Sequence, residues 1–317
     1  MGILKKITGK KNMGLKLILV LFFAVTVYFS LLIWSGRENL RQAFANYDLK
    51  WFFLALGLSS LNFILRYFRW VFMLKDVNFE IPHKINLPVF FSGLAFTMTP
   101  GKAGEAVKSY FLKKKGYSVV KTLSVVFMER YSDLIAVLLL AGIGLPFHAK
   151  GYLAFFFSVL LVFFVFFFSS TRLGHRILLY FFRKIAFFQR FQVQIKALLT
   201  QIKQFSRQPK VFFYLVMGMI GWGLEALALY YLALGAGIPI SWWQAVFIFS
   251  ISTLAGIVFP GGLGGMEGML VFLLAPLAIK SQVVLVIFLL RLATLWWATL
   301  SGSCFLVFLL KKNLSAD

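Results

Sequence analysis

Two Pro-Gly breaks constrain this chain more than any other feature. One lies in FTMTPGKAGEAVK, at Pro100 and Gly101, and the other in VFPGGLGGMEG, at Pro260 and Gly261. Both interrupt runs that would otherwise read as apolar helices, and glycine and proline are the residues that stop a helix. In hydrocarbon a broken backbone survives only where protein buries it or water lines it. That setting is implied by composition: 61% of the 317 residues are hydrophobic and 14% are charged, against roughly 25% charged in a soluble domain. No segment alternates apolar and polar residues as a membrane barrel must. The chain therefore reads as an all-α polytopic membrane protein.

A crossing helix needs about 20 apolar residues. Six stretches meet this: 15–35, 51–74, 122–145, 151–169, 211–234 and 283–309. The first apolar run lacks a small-x-small cleavage site and reads as an uncleaved span. The two broken regions, 85–113 and 243–279, have arms too short for simple spans and read as re-entrant hairpins. Counted as crossings, they would bring the total to about eight. The net charge of +23 sits in clusters beside apolar runs, so it sets topology and meets anionic headgroups rather than nucleic acid. Lys5, Lys6, Lys10, Lys11 and Lys16 place the N-terminus in the cytoplasm, and Lys311 and Lys312 place the C-terminus there too. Lys108, Lys113, Lys114, Lys115 and Lys121 form the most basic short segment and are expected on the cytoplasmic surface. Residues 172–210 read as basic amphipathic helix on the inner membrane face or as a packed cytoplasmic linker.

The spacings repeat. Arg66 and Pro100 are 34 positions apart and Glu225 and Pro260 are 35; Pro100 to Arg130 is 30 and Pro260 to Arg291 is 31. The charge-derived topology gives the units 51–145 and 211–309 opposite orientations within a single membrane domain, 1–317. An inverted repeat of this kind places a substrate site between the broken helices.

Of ten acids, Glu105, Glu129, Asp133, Glu225 and Glu267 fall within apolar segments or hairpins, as do Arg66, Arg69, Arg130 and Arg291. A charge at mid-bilayer costs ~2.5–3.5 kcal/mol, so these residues pair, face water or bind something. Ion pairing between helices competes with function for Glu129 and Asp133, and snorkelling to the inner surface competes for Arg66 and Arg69. Each break starts a half-helix whose free N–H groups suit phosphate. Lys102, Gly104 and Glu105 follow the first break, and Gly262, Gly264 and Glu267 follow the second. Close helix packing is the other reading of the glycines. His83, His148 and His175 are scattered, Cys304 is alone, and no HExxH, CxxC, P-loop or GxSxG occurs. The expectation is no metal, no cofactor and no catalytic residue.

TPGKAGEAVK (99–108), MERYSDL (128–134), PGGLGGMEG (260–268) and Arg291, with Arg66-x-x-Arg69-Trp70, resemble the flippase-like family named for the transmembrane region of lysylphosphatidylglycerol synthase. The usual Pro-x-Arg-x-Gly-Glu motif carries Lys102 here in place of arginine. The resemblance implies translocation of a lipid across the inner membrane of a bacterial or archaeal cell. The substrate would be an anionic or zwitterionic phospholipid, an aminoacyl-phospholipid or a polyprenyl phosphate. The sequence stops at Asp317, soon after the last span, so translocation is expected without synthesis. A separate lipid-modifying synthase or glycosyltransferase is an expected partner, and a homo-oligomer is compatible with the sequence. Two other readings stand beside this one: an intramembrane headgroup transferase with Glu105 or Glu129 as base, and a non-transporting partner of an envelope-lipid synthase.

Overall fold

The computed structural model describes residues 10–147, 152–171, isolated positions between 173 and 200, 209–257 and 259–314. Every regular element among them is helical. In chain order these are α1 (Lys10–Ser35), α2 (Arg37–Ala45), α3 (Lys50–Asp76), α4 (His83–Leu94), a 3-10 turn (Pro100–Ala106) and α5 (Val107–Lys113). Then come α6 (Val119–Gly144), α7 (Tyr152–Ser170), α8 (Lys210–Gly235), α9 (Trp242–Gly256), a second 3-10 turn (Pro260–Gly262), α10 (Gly265–Leu274), α11 (Lys280–Arg291) and α12 (Trp297–Leu314). A π-turn, Leu292–Trp296, joins the last two into one rod. The basic segment 172–210 lies mostly outside the described residues, as do Lys5, Lys6, His148 and His175.

Among the described residues three helices are long and apolar enough to cross a membrane: Lys50–Asp76, Lys210–Gly235 and Lys280–Lys311. They coincide with the expected spans 51–74, 211–234 and 283–309. Shorter apolar helices include Phe22–Ser35 and Tyr152–Phe164. Helix α6, at 26 residues, is long enough, but Lys121, Glu129, Arg130 and Asp133 make it far more polar than a plain span. The broken regions hold short arms: α4 has 12 residues and α5 has 7, while α9 has 15 and α10 has 10. At 1.5 Å per residue these are about 18, 10, 22 and 15 Å long, all short of the ~30 Å hydrocarbon core.

Small residues set how closely the helices pack. On α3 the buried face runs through Ala55, Ser59, Asn62, Phe63, Arg66, Arg69 and Trp70, a three-four spacing that meets α8. Gly218 and Gly221 on α8 accept that face: a Cβ on Gly218 would stand 2.7 Å from Arg69 Nη1, and one on Gly221 would stand 2.6 Å from Asn62 Oδ1. Helix α12 presses on the end of α4 at Gly302, where a Cβ would meet the Ala95 nitrogen at 2.2 Å. The largest apolar core joins α6, α8, α9, α10 and α11 through Val137, Leu229, Phe247, Leu270 and Ile287. A second core, around Trp70, Phe90, Leu112 and Met128, fixes the other half of α3 and α6 against α4 and α5.

The two 3-10 turns meet in the middle of this assembly, where the Met98 backbone lies against Gly261. Gly261, Gly262 and Gly264 have φ of +61°, +73° and +81°, a region that side chains resist. Lys102 also sits there, at +56°, and strain of this kind is typical of binding and switch sites. Thr99 closes the first turn, its Oγ1 accepting the Gly104 N–H at 2.7 Å. A Cβ at Gly104 would collide with Phe96 and Thr99, at 2.7 and 2.8 Å. This is the packing role of a glycine, here at the tip of a break.

Candidate functional site

Between the two turns lies a cavity of about 260 Å³. Arg66, Lys102, Arg130, Asp133, Glu225 and Arg291 all contribute to its wall, together with Trp222, Phe249 and Phe259. Both breaks line it, through Thr99 and Lys102 on one side and Gly261 and Gly262 on the other.

One wall is a buried ion cluster. Arg66 on α3 donates to Glu105 at 3.1 Å and lies 3.5 Å from Glu129. Arg130 on α6 lies 3.3 Å from Glu105, 2.8 Å from Glu129 and 3.1 Å from Asp133. Arg69 donates to Asp133 at 2.5 Å. The one-turn spacing of Arg66 and Arg69 meets the one-turn spacing of Glu129 and Asp133 on the neighbouring helix, which is why sequences three and four apart pair here. Burial at low dielectric makes each bond strong and each missing partner costly.

Lys108 completes the cluster, and it corrects a sequence expectation. Together with Lys113–Lys115 it reads as a surface lysine, but its side chain is fully enclosed. Its Nζ donates to Glu129 at 2.6 Å and to Glu105 at 3.1 Å, and lies 4.3 Å from the centre of the Trp70 ring. The available signal was its place three residues after Glu105, one helical turn. Four cations, Arg66, Arg69, Lys108 and Arg130, thus face three carboxylates, Glu105, Glu129 and Asp133, for an excess of one positive charge.

At the second break Glu267 Oε2 accepts the Gly264 N–H at 2.7 Å, and Oε1 lies 2.8 Å from Arg291 Nε. Glu267 therefore caps the start of α10 while holding Arg291. Arg291 in turn donates to the Gly261 carbonyl. The two hairpin acids are both engaged with arginines. The close-packing reading applies to Gly264, which lies against Phe23 of α1, but not to Gly268, which has no neighbour within 4 Å of a built Cβ.

Two cavity groups differ from the rest. Glu225 is buried without an ion pair among the described residues; Asn62 Nδ2 donates to it at 2.8 Å and Ser59 Oγ at 3.3 Å. Asn62, Ser59 and Trp222 are residues that sequence reasoning passed over, because neutral polar and aromatic residues are common in apolar helices. Lys102 has no carboxylate partner among the described residues and rests its ammonium over the Trp222 ring at 4.8 Å. A half-buried cation on a strained backbone, held only by an aromatic face, is placed to take an anion.

Among the described residues no group of three or more histidine, cysteine or acidic side chains is arranged to hold a metal. The helices, the paired breaks and the charged centre define a helical, membrane-spanning protein with a largely apolar cavity that charged side chains border. The chain belongs to the family of the lysylphosphatidylglycerol synthase TM region, whose model matches residues 18–302. It is also 28% identical over 320 residues to the UPF0104 membrane protein PH1989 of Pyrococcus horikoshii, across 91% of this chain and 96% of that one. The resemblance carried by PGKAGE, MERYSDL and PGGLGGME is thus to the right family.

Proposed function

We propose that this protein is a lipid translocase, and that the cavity between the two breaks receives the headgroup phosphate of a phospholipid, aminoacyl-phospholipid or polyprenyl-phosphate-linked lipid. Lys102 carries this reading: it is the cavity cation without a carboxylate partner among the described residues. Arg66, Arg130 and Arg291 flank it, and the excess positive charge of the ion cluster adds a favourable field for an anion. Glu225 is free to meet a cationic or hydroxyl group of the same headgroup. The acyl or prenyl tails stay in the bilayer.

The transport path follows from the inverted repeat. In this reading residues 51–145 and 211–309 are opposed units of one membrane domain, the hairpins 85–113 and 243–279 are re-entrant, and six spans surround them. Arms of about 10–22 Å support re-entrance, as does the meeting of the turns at Gly261 and Met98. Both termini lie in the cytoplasm, and the protein sits in the cell (inner) membrane. A separate synthase or glycosyltransferase supplies the lipid. No chemical step is required of this chain: Glu105 and Glu129 each accept from buried cations, a poor setting for the base of a transferase.

The test is a scrambling assay in sealed liposomes carrying phosphatidylglycerol, phosphatidylethanolamine, lysylphosphatidylglycerol or a polyprenyl phosphate in separate batches. At least one lipid should change leaflet faster than in protein-free vesicles, and Lys102→Met should abolish the gain. Rates equal to protein-free vesicles for every lipid overturn the proposal.

A further inference from the structure

A second cavity, of about 540 Å³, opens between α2, the end of α8 and the start of α11. It lies about 25 Å along α3 from Arg66, at the end of the bundle away from Asp76 and Lys210. Its wall has a different chemistry from that of the central cavity. Asn39 and Gln42 line it from α2, Asn46 caps that helix, Tyr47 follows, and Lys280 and Gln282 face them from α11. Among the described residues no aspartate or glutamate lines it.

Asn39, Gln42 and Asn46 recur at i, i+3 and i+7, so one face of this nine-residue helix and its C-cap presents amides to the cavity. The opposite side packs inward, with Phe44 edge-on to Phe288 at 5.8 Å. Tyr47 lines the cavity next to this face. It is only 7% exposed, and its hydroxyl has no hydrogen-bond partner among the described residues. A buried hydroxyl left unpaired is costly, and such groups call for a partner.

Amides both donate and accept, and a phenol does the same. A wall of three or four amides with one phenol therefore matches a ligand whose groups also do both. Adjacent hydroxyls on a carbon skeleton meet that requirement; a phosphate, which only accepts, does not. We infer that this cavity binds an uncharged polyhydroxyl group, a sugar ring or a glycerol, with Asn39, Gln42, Asn46, Tyr47 and Gln282 as its hydrogen-bonding partners. Lys280, whose ammonium lies 5.5 Å from the Trp34 ring centre, stands at the rim, where it can meet the phosphate that links such a group to a lipid. The site stands apart from the central cavity and does not depend on transport.

Saturation-transfer NMR on the full chain in phosphatidylcholine nanodiscs tests this. Sugar-headed detergents must be removed first, because they would compete. The probes are glycerol, methyl glucoside and methyl N-acetylglucosaminide in solution, and glucosyl-diacylglycerol within the disc. At least one probe should receive signal, reduced at least fivefold in Gln42→Leu/Asn46→Leu and in Tyr47→Phe, and retained in Lys102→Met. Signal from the free sugars or glycerol identifies a soluble ligand; signal from the glycolipid alone identifies a headgroup. Either result supports the site. No signal from any probe, or signal indifferent to all three α2-side substitutions, overturns it. Failure here with active scrambling, or the reverse, separates this site from the translocase proposal.

Discussion

Lys108→Met removes a cation that binds two carboxylates at the heart of the ion cluster while keeping an unbranched side chain of nearly the same length. In wild type, Lys108 Nζ is 2.6 Å from Glu129 and 3.1 Å from Glu105. At an effective dielectric of about 20, these contacts carry Coulomb energies of roughly 6 and 5 kcal/mol. Most of that is offset by the cost of taking the ammonium out of solvent. One-sided removal of a buried partner costs ~3–5 kcal/mol, because the remaining charges stay buried. At about 2 °C per kcal/mol for a chain of this size, the melting temperature in nanodiscs should fall by about 6–10 °C. Lys113→Met, five residues on and exposed, is the control and should shift melting by no more than about 1 °C. Glu129→Gln in the Lys108→Met background should cost less than it does alone, because the Lys108–Glu129 bond is already gone and only the contacts to Arg66 and Arg130 remain to be lost. The two substitutions should be non-additive by ~1–3 kcal/mol. Equal melting of Lys108→Met and Lys113→Met, or strict additivity with Glu129→Gln, would refute the enclosed position of Lys108.

Other substitutions separate packing from function. Gly302→Ala should destabilise by about 1–3 kcal/mol, read as a lower melting temperature, because its Cβ would strike backbone atoms of Leu94 and Ala95. Lys102→Gly should melt at or slightly above wild type, since it relieves a left-handed backbone worth ~1–3 kcal/mol, yet lose lipid scrambling; retained scrambling would remove Lys102 from the proposed path. Asp48, in the loop before α3, accepts hydrogen bonds from the Lys50 side chain and backbone, which hold its carboxyl below the ordinary aspartate value. A depressed folded value means the contribution is present at neutral pH and lost only as pH falls through that lowered value, so the Asp48 carbon shift should titrate later in an acid titration than in Lys50→Met. Cysteines placed at Lys115 and Lys280, both exposed, should label from opposite sides of intact cells, Lys115 from the cytoplasm; labelling from the same side would reject the topology.

The sequence alone settled the solvent and the class of structure. Apolar length and scarce charge require helices in a membrane, because hydrocarbon leaves the backbone no other partner. It also located the breaks, since Pro-Gly at the end of an apolar run has few other uses, and it located Arg66, Arg69, Glu105, Glu129, Arg130, Asp133, Glu225, Glu267 and Arg291, since charge in such runs is expensive wherever it occurs. Partnership was decided by tertiary structure. Which carboxylate an arginine meets depends on helix rotation and on how near Gly218, Gly221 and Gly302 let the backbones come, and neither is written in local spacing. For the same reason Lys108 looked like its lysine neighbours: side-chain type fixes the charge, while the face of α5 fixes whether water reaches it. The amides of α2 were silent in the sequence because polar residues in a loop-like stretch are ordinary. They became a site only when folding closed a wall of α11 across from them and left the Tyr47 hydroxyl without a partner.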